Sequence, residues 1–364
     1  MQGYRPGEAS RKPMAASLMR LRGHLPNPSN LSANTVVGSM LTKHKGRFLR
    51  GAPFFDATRS QHSGFRKGIV VIEPSTNPTA RTEAELRALM ARAVHEVRET
   101  NPLAPSITNT VTQNFVANAQ LAVGGSAAMV YLPDEGECVA ALGGAVYINL
   151  GTLLPVYEQT VPATARACAA AGKPWVLDPV GIGIGSLRTQ LIEAVRENPP
   201  AILRGNASEI IAVAELWGLG DDTAEDASGD GPRGVDSTDS VDAAERAAVA
   251  CARFTGGAVA VSGTTDLVTD GAQVARLSGG SPLMTCITGS GCSLGGVCAV
   301  YACVADPFVA ALAATAAYNL AGLRAAETCN GSGSFQVAFL DALYNLTAEE
   351  VAEAPLALAS ASAA

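Results

Sequence analysis

Across residues 127–262 short apolar runs alternate with stretches of helical periodicity, and that alternation leaves few folds open. Ala127–Leu132, Ala145–Leu150, Trp175–Leu177, Ala201–Arg204 and Ala258–Ser262 read as strands. Asp134–Leu142, Pro155–Ala171, Arg188–Glu197, Ala207–Trp217 and Val241–Thr255 read as the helices between and before them. Strands joined through helices need crossover connections. The fold class is therefore α/β, with a mostly parallel central sheet and helices on both faces. Asp266–Thr269 and Gln273–Leu277, flanking Asp270–Gly271, read as a hairpin. Upstream, Thr82–Glu85 reads as a capping box opening a helix that runs to about Val97. Ile107–Asn109 ends a strand, and a helix follows from about Val111 to Ala122, closed by Gly124–Gly125. The last third reads as nearly all helix. Its apolar runs 294–305 and 307–322 are split by Asp306–Pro307 and are each too short to span a bilayer, so they are expected to be core helices.

Charge divides the chain. Residues 1–67 hold twelve Lys/Arg against two acids, although the whole chain of 364 residues carries a net charge of −7. Residues 1–78, rich in Arg, Ser, Gly and Pro, are expected to form a basic, disordered extension. Residues 79–349 are expected to form one folded domain, and the Ala-rich tail 350–364 to fray. The acidic body argues against a nucleic-acid groove, and no segment reads as a membrane span or signal peptide. The chain is accordingly expected to be cytoplasmic, with no nucleic-acid or membrane partner.

All four histidines (His24, His44, His62, His95) precede the motifs described next, so a Ser-His-Asp or Cys-His hydrolase is disfavoured. None of the eight cysteines forms a Cys-x-x-Cys pair or has zinc spacing. Cys286, Cys298 and Cys303 read as buried thiols.

Three motifs fall at strand ends, where open α/β sheets bind ligands. Asp178–Gly181 and Asn206–Glu209 each bring a carboxylate, and Asp178 and Glu209 are the candidates to hold Mg²⁺ directly or through water. Gly289–Cys292 is a glycine turn opening a helix, a place where backbone N–H groups and the helix dipole favour an anion. It is neither a Walker A loop nor a dinucleotide fingerprint. Cys292 falls on the first turn of that helix. The helix N-terminus is expected to lower its thiol pKa, making Cys292 a candidate base for a substrate hydroxyl. Arg204 is a candidate for a nucleotide phosphate. Asn109 and the Gly124–Met129 stretch form a second dense region suited to a small flat heterocycle. Carboxylates for a cation and a helix N-terminus for an anion are the parts that phosphoryl transfer requires.

Together these stretches resemble hydroxyethylthiazole kinases of the ribokinase-like superfamily. Nine segments carry the resemblance: 107–118, 121–129, 148–153, 175–181, 203–210, 233–239, 282–285, 289–292 and 333–335, with similarity over roughly residues 80–349. The resemblance implies a ribokinase-like three-layer sandwich. It implies transfer of the ATP γ-phosphate to the hydroxyethyl group of 4-methyl-5-(2-hydroxyethyl)thiazole, with Mg²⁺, in thiamine biosynthesis or salvage. It assigns Met129, Gly289 and Asn109 to the acceptor, Arg204, Ser262, Ser290 and Gly291 to ATP, and Cys292 to the position where the wider superfamily has an aspartate base. It also implies a homotrimer with sites between subunits. Ser262 and Ser290 stand where Thr is expected, Pro105 where His is common, and Ala128 where Pro is frequent. These departures bear on acceptor preference more than on reaction class. A pyridoxal- or hydroxymethylpyrimidine-type kinase and a non-catalytic nucleotide sensor are the competing readings.

Overall fold

The computed structural model describes residues 80–219 and 241–361. The basic extension and most of the Gly/Asp-rich stretch at 219–240 lie outside the described residues. Among the described residues nine strands form one sheet: β1 (Leu103–Ile107), β2 (Ser126–Met129), β3 (Val146–Asn149), β4 (Trp175–Asp178), β5 (Ile202–Asn206), β6 (Ala258–Ser262), β7 (Thr265–Thr269), β8 (Gln273–Ser278) and β9 (Leu356–Ser360). Their order is β2-β1-β3-β4-β5-β6-β7-β8-β9. The strands from β2 to β6 pair in parallel, and β7, β8 and β9 add antiparallel.

The helices are α1 (Glu83–Thr100), α2 (Gln113–Ala122), α3 (Pro133–Leu142), α4 (Tyr157–Ala171), α5 (Ser186–Ala194), α6 (Ala207–Leu216), α7 (Val241–Thr255), α8 (Ser290–Ala302), α9 (Pro307–Thr328), α10 (Ser332–Asn345) and α11 (Ala348–Ala352). Helices α3 to α7 pack over one face and α1, α2 and α8 to α11 over the other, giving the expected three layers. Strand periodicity explains the division. In β3, Tyr147 points into the core under α8 while Val146 and Ile148 point to the opposite core. Both faces are covered, so these strands read as continuous apolar runs.

Local signals set the helix ends. Thr82 Oγ1 accepts from the Glu85 amide and Glu85 Oε2 accepts from the Thr82 amide, closing the expected capping box. Asp306 caps α9 by accepting from the Phe308 and Val309 amides, with Pro307 following it at the first helical position. Helix α9 has the length and mean hydropathy of a membrane span, but 83% of its apolar window is buried inside the fold, so it is a core helix. His95 is exposed on α1, 3.6 Å from Glu349.

Several boundaries differ from the sequence reading. The helix expected at 188–197 starts at Ser186 and tightens into a 3-10 turn at Val195–Glu197. The helix expected from Val111 begins at Gln113. The largest correction concerns the tail. It does not fray over its whole length: β9 adds to the free edge of β8, from Gln273↔Ser360 to Leu277↔Leu356. Leu356 and Leu358 lean on the core, and the ladder satisfies backbone groups that composition alone does not weigh. Truncation after Ala354 is expected to lower the melting temperature by several degrees and to promote self-association through the bared β8 edge. Unchanged melting and a monodisperse sedimentation profile would contradict that role.

Candidate active site

Alternation along adjacent strands directs one set of polar side chains toward the underside of α8. Tyr147 and Asn149 are two apart on β3, Asp178 ends β4, Arg204 lies within β5 and Ser262 ends β6. Asn109, just beyond β1, completes the row. Hydrogen bonds join them across the sheet. Asn109 Nδ2 donates to Asn149 Oδ1 at 2.8 Å, and Asn149 Nδ2 donates to Tyr147 Oη at 2.9 Å. Tyr147 Oη lies 3.1 Å from Asp178 Oδ2. Arg204 donates through Nη1 to Asp178 Oδ2 at 3.1 Å and through Nη2 to Ser262 Oγ at 2.9 Å.

Asp178 is buried, with 0% exposure. Burial pushes its carboxyl up to about 6, the Glu209 charge adds to the rise, and Arg204 opposes it. For Arg204, burial alone would lower the guanidinium, but Asp178 and Glu209, with Tyr147 and Cys292, hold it above its ordinary range. The pair is therefore a buried ion pair, and its worth depends on how completely its lone pairs and protons are matched. Asp178 Oδ1 and Arg204 Nε have no hydrogen-bond partner, although both are buried. An orphaned carboxylate oxygen in this setting suits a cation or a cation-bound water.

The glycine turn stands directly over this pair. Gly289 caps α8 at φ 91°, and a Cβ there would lie 2.9 Å from Thr112 Cβ, so both conformation and space require glycine. A Cβ on Gly291 would lie 2.9 Å from Arg204 Nη2, so the guanidinium packs against the first turn of α8. The helix dipole and Arg204 thus place positive potential at one point, beside Asp178. Ser290 Oγ donates to the Met284 carbonyl at 2.7 Å, which leaves its backbone amide, not its hydroxyl, on the anion side.

Glu209 is close by but committed differently from the sequence expectation. Its Oε2 accepts from the Asn206 amide at 2.8 Å and its Oε1 from the Gly181 amide at 3.2 Å. Asn206 Oδ1 accepts from the Glu209 amide at 2.9 Å, so Asn206–Glu209 is a capping box for α6. Both Glu209 oxygens are thereby engaged by backbone, and the carboxylate ties the loop after β4 to the start of α6.

Cys292 overturns one expectation. Burial foremost, then the Asp178 charge, pushes its thiol up to about 11, against the lowering expected from the helix N-terminus. Its Sγ lies 3.5 Å from Asn109 Nδ2. Two nearby positive influences, Arg204 and the helix end, do not offset desolvation. Cys298 is buried as expected, Cys303 is half-buried and Cys286 is exposed, contrary to expectation; all eight cysteines are free.

Met129 ends the edge strand β2, with β1 between it and the β3–β6 network, so the structure does not bring it into that network. A cavity of about 320 Å³ adjoins the glycine turn instead. It is lined by Val111, Asn114, Phe115, Cys286–Thr288, Ser332, Gly333 and Gln336. A second cavity, of about 560 Å³, lies at the opposite end of β6, around Gly256, Gly257 and Asp270–Ala272. Sequence reasoning missed Tyr147, Asn149 and Asp266. Asp266 Oδ1 accepts from the Gly263 amide at 2.9 Å and its Oδ2 accepts from Asn319 at 3.0 Å. The available signal was a polar residue inside an otherwise apolar strand.

Comparisons with known proteins show the family. The profile of the hydroxyethylthiazole kinase family matches residues 94–349. The chain belongs to the hydroxyethylthiazole kinase family. It is 52% identical over 308 residues to a hydroxyethylthiazole kinase of Bifidobacterium longum (strain NCC 2705), covering 81% of this chain and 95% of that protein. It is 46% identical over 253 residues to a hydroxyethylthiazole kinase of Cereibacter sphaeroides (strain ATCC 17029 / ATH 2.4.9), covering 70% and 92%. The solved hydroxyethylthiazole kinase of Pyrococcus horikoshii OT3 superposes with a TM-score of 0.66 at 29% identity, over 75% of this chain and 99% of that one. The fold is the ribokinase-like sandwich implied by the sequence motifs.

In this family member the Asp178–Arg204 pair makes a pH-dependent prediction. A carboxyl held near 6 when folded and near its ordinary value when unfolded favours the native state below about pH 4 and loses that contribution as pH rises through about 6. Arg204→Ala leaves a buried, uncompensated carboxylate and is expected to lower stability by about 3–5 kcal/mol at pH 8. Urea unfolding at pH 5, where Asp178 holds a proton, should show a smaller loss. An equal loss at both pH values would contradict a raised Asp178 carboxyl that takes up a proton between them.

Proposed function

We propose that this chain transfers the γ-phosphoryl group of ATP to the hydroxyethyl alcohol of 4-methyl-5-(2-hydroxyethyl)thiazole, as a cytoplasmic enzyme of thiamine biosynthesis or salvage. One observation carries the reading: within a hydroxyethylthiazole kinase family member, the buried Asp178–Arg204 pair lies directly under the glycine turn of α8. The acceptor oxygen bonds to the γ-phosphorus, the bond from that phosphorus to the β-bridging oxygen breaks, and ADP departs with the electron pair. The acceptor hydroxyl loses its proton.

Arg204 and the Ser290 and Gly291 amides would receive the phosphates, with Ser262 orienting the guanidinium from its other side. Magnesium fits the residues present. Asp178 Oδ1 is buried and unpartnered, whereas Glu209 is engaged by amides, so Asp178 would hold the ion and Glu209 would fix the loop around it. When bound, Mg²⁺ neutralises charge on the phosphate oxygens. Among the described residues no group of three or more Asp, Glu, His or Cys side chains converges as a metal cage, and Mg²⁺ sites use few carboxylates.

On the acceptor side, Gly289 belongs to the turn, Asn109 lies against Cys292 Sγ, and the 320 Å³ cavity whose lining reaches Thr288 suits a small heterocycle. Met129 stands on an open sheet edge with half-buried neighbours, and Val111, Leu121 and Leu132 are exposed. A homotrimer that covers this edge would bring a neighbouring subunit to the acceptor, consistent with sites between subunits.

Cys292 would receive the acceptor proton as its thiolate, a minor form near neutral pH because burial pushes the thiol up to about 11. The loose transition state of phosphoryl transfer tolerates a weak base. Cys292→Asp supplies a stronger acceptor near neutral pH and should match or exceed the parent kcat. Cys292→Ala should slow turnover by about tenfold. An alanine variant at the parent rate would remove Cys292 from proton transfer. The function itself is tested by coupled ADP release with ATP, Mg²⁺ and the thiazole alcohol, with pyridoxal and hydroxymethylpyrimidine as competing acceptors. ADP release above blank that is largest with the thiazole supports the reading; no release with it refutes the reading.

A further inference from the structure

The buried hydroxyl of Tyr147 has a place in the site that neither its strand nor its packing requires. Tyr147 lies in β3 between Val146 and Ile148, and all three are 0% exposed. Packing alone would be met by phenylalanine, because a buried phenol oxygen is unfavourable unless it is hydrogen-bonded. Here three polar groups converge on it. Asn149 Nδ2 donates to Oη at 2.9 Å, the Cys292 carbonyl lies at 2.6 Å, and Asp178 Oδ2 lies at 3.1 Å. The hydroxyl has one proton, so it serves one of the two acceptors at a time, and the shorter contact is the carbonyl in the first turn of α8.

The helix is built to accept the ring. A Cβ on Gly295 would lie 2.4 Å from Tyr147 Cε2 and 2.7 Å from Cζ. Gly295 is one helical turn beyond Cys292, so α8 rests on the phenol at the same face that carries the Cys292 carbonyl. Two elements distant in sequence are thus set against each other by a stiff aromatic spacer: the strand end bearing Asp178 and the helix start bearing the glycine turn.

We propose that Tyr147 is a positioning residue for phosphoryl transfer, holding the anion-binding first turn of α8 at a fixed separation from Asp178. The inference rests on the kinase reading of this site and deepens it. Misplacement of about 1 Å at a reacting centre can cost about a hundredfold in rate, so such a spacer acts on turnover more than on affinity.

Tyr147→Phe keeps the ring over Gly295 and removes only the hydroxyl. The variant is expected to keep the parent KM for the thiazole alcohol within about twofold, to lose about tenfold in kcat, and to need more Mg²⁺ for half-maximal rate. Hydrogen exchange of the amides from Gly291 to Gly295 should accelerate while the sheet stays protected. Gly295→Ala, which pushes the ring away, should reproduce the same kcat loss with the hydroxyl still present. Parent-like kcat, Mg²⁺ demand and exchange in Tyr147→Phe overturn the proposal. So does a uniform loss of melting temperature, KM and kcat together, which marks a purely structural role. If the parent protein shows no kinase activity the function reading fails by itself. Exchange then decides the Tyr147 link: acceleration confined to the first turn of α8 sustains it, and unchanged exchange overturns it.

Discussion

A buried carboxylate imposes the order of this site. Asp178 ends β4 with no exposure, and a charge there is tolerable only when it is paired. Arg204 from β5 supplies the opposite charge and Tyr147 from β3 lies within hydrogen-bond reach. Each partner is in turn held by a neighbour, Ser262 on β6 and Asn149 on β3. The row therefore crosses adjacent parallel strands, and it exists because their side chains alternate in phase. The loops after these strands are positioned from below by this network, and α8 is seated on top of it through Tyr147, Gly291 and Gly295.

This arrangement joins fold to chemistry. Parallel strands bring their C-terminal ends to one side, where helix N-termini also gather. In the proposed function Asp178 and the first turn of α8 would be the negative and positive halves of a phosphate site, and Arg204 packs against both. Glu209 contributes by geometry. Its two oxygens tie the Asn206 and Gly181 amides, so the loop carrying Asp178–Pro179–Val180–Gly181 cannot drift from α6.

Much of this was legible in the sequence because it is written in local signals. A capping box marked α1, helical periodicity marked α6, and glycine marked the turn at 289–291. Strand runs marked β4 to β6, which carry Asp178, Arg204 and Ser262. What was not legible depended on contacts between distant residues. Tyr147 and Asn149 sit within a four-residue strand whose apolar look hides that their polar tips face one helix. The Cys292 thiol rises because desolvation and Asp178 outweigh the helix dipole, a balance set by burial that motif spacing does not record. Strand β9 forms from an Ala/Ser-rich tail because β8 offers it an unpaired edge, a tertiary opportunity that overrides weak strand preference.

In the proposed reaction Asp178 and the glycine turn of α8 together grip the metal–phosphate group of the nucleotide. A crystal structure with ADP and Mn²⁺, read by anomalous scattering, tests it directly. The expected result is a manganese peak bound to Asp178 Oδ1 directly or through one water, with the β-phosphate on the amides of Gly289–Gly291. A manganese ion or phosphate seated elsewhere, with Asp178 still bound only to Tyr147 and Arg204, would contradict it.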